Sequence, residues 1–73
     1  MGAMKTFAFD TIESCIKIGG GRTTAARLSV RFTALGVATT PDQAATLAQL
    51  LGFKVTKRRV TINGTDTTQH VVQ

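Results

Sequence analysis

The chain has 73 residues and a formal charge of +5, with nine Lys and Arg against four Asp and Glu. A chain this short forms one domain and buries only about 60% of the surface its unfolded form exposes, so its core is small and self-association would help it. A 42% hydrophobic share against 18% charged excludes a disordered tail, and no apolar run is long enough to span a bilayer.

In chain order, Met1-Gly2-Ala3 precedes a second methionine, Met4, and formally fits an N-myristoylation pattern. It reads better as a vector-derived leader, leaving residues 4–73 as a single small basic domain. Phe7 and Phe9 give way at once to Asp10, so no secretory signal is expected and the cytoplasm is the expected compartment. Alternation from Lys5 to Phe9 predicts a short strand. Asp10-Thr11-Ile12-Glu13 has the form of a capping box, and Ile12, Cys15 and Ile16 follow at helical spacing up to Gly19-Gly20-Gly21, which predicts a short helix over 10–18. The glycine run then leads into Arg22-Thr23-Thr24, where free backbone N–H groups at a helix start could meet a nucleic-acid phosphate. The Gly-Lys-Ser/Thr ending of a nucleotide-binding loop is missing.

"RTTAARLSVRFTALG" supports two readings. With a period of 3.6, Ala25, Leu28, Phe32 and Leu35 form an apolar stripe between a Thr23 or Thr24 N-cap and a Gly36 C-cap. With a period of two, Leu28, Val30, Phe32 and Ala34 share a strand face, giving a ββαββ topology in which 12–18 and 26–34 form a first hairpin. The Ala-Ala pair and the caps favour a helix over 23–35, and Arg27 and Arg31 share a face in either geometry. "TTPDQAATLAQLLG" predicts a helix over 40–51, with Thr40 as N-cap, Pro41 in the first helical position and Gly52 as its end. "ALGV" and "LLGF" close these two helices in similar fashion.

"FKVTKRRVTING" follows, with Lys54, Lys57, Arg58 and Arg59 within six positions, then an Asn63-Gly64 turn and "TTQHVVQ", predicting a C-terminal β-hairpin. Phe53 and Val55 share a phase, whereas Val60 and Ile62 take the opposite one. That break predicts a bulge that throws Lys57 and Arg58 outward.

For catalysis the inventory is poor. Cys15 and His70 are each alone, and the four carboxylates are scattered, so no enzyme activity, metal or cofactor is expected. Cys15 reads as a small core residue and His70 as a strand-edge residue. The basic excess attracts nucleic acid first. With no Trp or Tyr and with Phe residues suited to the core, backbone contacts suit the chain better than base stacking.

Two successive helices with the Leu35-Gly36-Val37 turn between them, and "LLGF" entering a basic hairpin, resemble a helix-turn-helix with a C-terminal wing, as in many small bacterial and phage regulators. The resemblance implies a DNA-binding protein whose second helix enters the major groove, where Gln43, Thr46 and Gln49 would have to read bases. Two departures stand out. Phe32 occupies a position where such motifs usually hold a small residue, and "PDQAATLAQLL" has no Lys or Arg. "RRVTING" and Gln43-Ala44 also resemble S4-type RNA-binding domains, with a longer intervening stretch, and imply RNA as an alternative polymer.

The combined expectation is an α+β domain with a short N-terminal strand, three helices and a wing-like hairpin. It would bind DNA as a homodimer through Lys54, Lys57, Arg58, Arg59, Arg22, Arg27 and Arg31, with Gln43 and Gln49 towards bases. The rival expectation is a protein-interaction module or inhibitor that docks on another protein, the uncharged strand after Thr67 offering an edge for pairing.

Overall fold

The computed structural model describes residues 2–73. Three helices, α1 (Gly2–Ile18), α2 (Ala25–Ala34) and α3 (Pro41–Leu50), combine with strands β1 (Thr23–Thr24), β2 (Val55–Ile62) and β3 (Thr65–Val72). The expected α+β fold with three helices and a C-terminal hairpin is present, in a winged-helix-like arrangement. Met1 lies outside the described residues, and Gly2 and Ala3, expected to precede the domain, begin α1.

α1 corrects the predicted N-terminal strand. Residues 5–9 are helical, and the helix expected over 10–18 begins far earlier. The Phe7/Phe9 alternation was too short to outweigh a longer pattern: Phe7, Ala8, Thr11, Ile12, Cys15 and Ile16 recur in pairs four apart and turn inward. Asp10 is therefore an exposed mid-helix residue and no N-cap, and the Thr11 hydroxyl donates to the Phe7 carbonyl at 2.8 Å. Cys15 is half-buried against the core.

All three helices end alike. Gly20, Gly36 and Gly52 take positive φ of 75°, 92° and 94°. In each case the next residue's N–H reaches back to a carbonyl of the last turn: Gly21 to Ile16, Val37 to Phe32, and Phe53 to Ala48, at 2.9–3.0 Å. This removes the glycine N–H groups from the phosphate-contact expectation, because those of Gly19, Gly20 and Gly21 are all donated to α1 carbonyls.

The ambiguous segment is a helix. Val30, which the strand reading places beside Leu28 and Phe32, is 70% exposed while those two are buried, so the ββαββ alternative fails. Thr24 caps α2 by accepting from the Arg27 N–H at 3.2 Å. Thr40 and Gln43 form a reciprocal capping box on α3, at 3.2 and 3.0 Å. The intervening turn is tied by the Ser29 hydroxyl, which donates to the Thr39 carbonyl.

Phe32 is accommodated in a core cluster to which α3 contributes only the small Ala44 and Ala48 as buried members. Phe32 also meets Phe7 edge-on, with ring centroids 6.2 Å apart. Ile12, Leu28 and Val72 complete the fully buried centre.

The sheet has the order β1-β3-β2, antiparallel throughout. Asn63 and Gly64 both take positive φ, 52° and 77°, as a two-residue type I′ turn requires. β2 and β3 pair without interruption from Val55 opposite Val72 to Ile62 opposite Thr65, so the predicted bulge is absent. Val55 and Val72 pack in the core, Val71 is buried and Gln69 and His70 are half-buried, and from the Arg59–Thr68 pair outward the hairpin leaves the body as an arm. The molecule is accordingly long, 42 × 22 × 21 Å. Along the arm both faces meet solvent, so the phase of Val60 and Ile62 carried no burial information.

Candidate nucleic-acid interface

An unbulged strand alternates its side chains, which splits the basic triplet. Arg58 stands on one face of β2, opposite Gln69, while Lys57 and Arg59 stand on the other, opposite His70 and Thr68. His70 is half-buried there. Lys54 begins the ladder, its N–H and carbonyl exchanging 2.9 Å bonds with Gln73.

β1 turns one face of the arm into a site. Its two residues pair with the end of β3, Thr23 with Val72 and Thr24 with Val71. Arg22, just before β1, and Arg27, in the first turn of α2, are thereby carried to the face that bears Arg58, Gln69 and Val71. The three arginines share a cavity of about 290 Å³ with Gln69, Thr24 and the buried Thr23 and Val71, and no Asp or Glu lines it. Gly19 makes the approach possible, since a Cβ there would collide with the Arg22 carbonyl.

The other predicted residues lie elsewhere. Arg31, one turn beyond Arg27, lines a small cavity between α1 and α2 together with Asp10. It also borders a shallow depression around Cys15 and Val30, which Arg27 borders too, so the two arginines do share a side of α2. Gln43 has its side-chain oxygen committed to the α3 cap, which leaves only its NH₂ group to donate to a partner. Gln49 is exposed, and α3 carries Asp42 in its first turn and no cation.

Gln69 was missed as a site residue, whereas Thr24 was already placed beside Arg22 in the expected phosphate contact. The two-residue Asn-Gly turn fixes the hairpin register, so the pairing of Arg58 with Gln69 could have been read from the sequence. The pairing of Thr24 with Val71 could not, because a two-residue strand has no period. Among the described residues no three His, Cys, Asp or Glu side chains gather where they could hold a metal ion, and no helix is long and apolar enough to cross a membrane. No protein-family model, curated protein or solved structure matches the chain.

Proposed function

We propose that the protein binds DNA, as a small regulator or accessory factor of a bacterium, phage or mobile element, without catalysis of its own and as a homodimer. The observation that supports this reading is the basic hairpin: Lys57, Arg58 and Arg59 are all exposed on β2, at the point from which the hairpin projects beyond the core. Arg22 and Arg27 extend the same charge onto the body. Phosphate contacts supply the affinity, and α3, which has no cations of its own, offers only Gln43 and Gln49.

The test is a mobility-shift titration with random duplex, single-stranded DNA and RNA at two salt concentrations. With five cations on phosphates, log affinity is expected to fall against log salt with a slope of about −4 to −5. A slope near zero sinks the electrostatic reading, and preference for RNA moves the proposal to that polymer.

A second reading has its own observation. β1 covers only Val71 and Val72, so the outer edge of β3 from Thr65 to His70 is unpaired. A partner protein could add a strand there. Absence of binding to all three nucleic acids favours this reading.

A further inference from the structure

The cavity between β1, the first turn of α2 and the arm differs from an open basic surface. Arg22, Arg27 and Arg58 all line it, and no Asp or Glu does. Like charges gathered in this way repel, and a ligand with two negative charges relieves that repulsion more fully than one with a single charge. Guanidinium presents paired N–H donors that match phosphate oxygens. The Gln69 amide is a further donor. So is the Thr24 hydroxyl, which accepts from the Arg27 N–H and keeps its own proton free. The positive end of the ten-residue α2 borders the same space. Thr23 and Val71 are buried at its walls, which makes it a recess and not a flat charged face.

From this set we infer that the recess binds a dianionic phosphate group, either the terminal phosphomonoester of an oligonucleotide or free phosphate. A terminal phosphomonoester carries a charge of about −1.5 to −2 near neutral pH and has a single ester arm. An internal phosphodiester carries one charge and leaves on both sides, which suits the arm better than the recess. The oligonucleotide source rests on the nucleic-acid reading above, whereas the free-phosphate source stands apart from it.

Inorganic phosphate titrated into the full chain is expected to shift the amide NMR signals of residues 22–27, Gln69 and Val71. In parallel, a single-stranded oligonucleotide with a 5′-phosphate is expected to bind about tenfold more tightly than its 5′-hydroxyl form, the worth of one charge-assisted hydrogen bond. Arg58→Gln should remove both effects, and because Arg58 is exposed and outside the core the variant keeps its fold. Lys57→Gln removes a charge from the opposite face of β2, so it should weaken both oligonucleotides while preserving their ratio. Phosphate shifts without a 5′ preference assign the recess to free phosphate. Phosphate shifts without any oligonucleotide binding uphold the recess and overturn the nucleic-acid reading. Oligonucleotide binding with neither phosphate shifts nor a 5′ preference overturns the recess and leaves that reading in place.

Discussion

α2 and α3 are built to one plan and finished differently. Each has ten residues, a threonine N-cap and a glycine in the left-handed conformation after its C-cap. α2 then carries Arg27 and Arg31 outside and Leu28 and Phe32 inside, whereas α3 buries three alanines and carries no cation. Local rules place both helices equally well, so the difference lies in what each presents to its neighbours. α2 supplies bulk and charge. α3 is a thin strut that lets a large side chain enter the space where two helices meet, and the cations that a groove-reading helix would carry stand on the arm and on α2.

That asymmetry can be broken at its centre first. Phe32→Ala is expected to cost about 3–5 kcal/mol, much of the whole stability of a small domain, as read by urea denaturation. If binding belongs to the arm, Lys57→Ala with Arg58→Ala and Arg59→Ala lowers affinity by about a hundredfold or more and flattens the salt slope by about three, with the circular dichroism unchanged. Gln43→Ala with Gln49→Ala should change affinity by only about threefold; a larger loss would return α3 to the role of reader. Ala48→Leu tests the strut, with an expected cost of about 1–3 kcal/mol from overpacking, below that of Phe32→Ala. The caps come last. Thr24→Ala and Thr40→Ala should each cost about 1 kcal/mol in thermal melts, with Thr40 the larger because Gln43 also depends on it.

α2, α3 and the hairpin were legible in the sequence because their signals are local: a threonine, a stripe, a glycine, an Asn-Gly pair. α1 was misread at its start because two phenylalanines two apart imitate a strand, while the pairing of Phe7-Ala8 with Thr11-Ile12 needs a longer window to emerge. The supposed bulge came from applying a buried-face rule to Val60 and Ile62, which stand beyond the core. Of the site, the cations were legible one by one. Their division between two strand faces followed from a register the turn already implied. The meeting of Arg22 and Arg27 with Arg58 depends on β1, which is too short to leave any trace in composition or spacing.

The same two residues give the fold a short seam. Pairing Thr23 with Val72 and Thr24 with Val71 closes a loop of nearly fifty residues with a two-rung ladder. The β2–β3 pairing, by contrast, zips outward from a tight turn and closes almost no loop. Thr23, Val71 and Val72 are all buried at the β1–β3 ladder, so parting β1 from β3 uncovers the core centre, and the ladder is expected to open with the core and not before it. The arginine recess has one wall on each side of that seam, so it exists only in the closed molecule and shares the stability of the core beneath it.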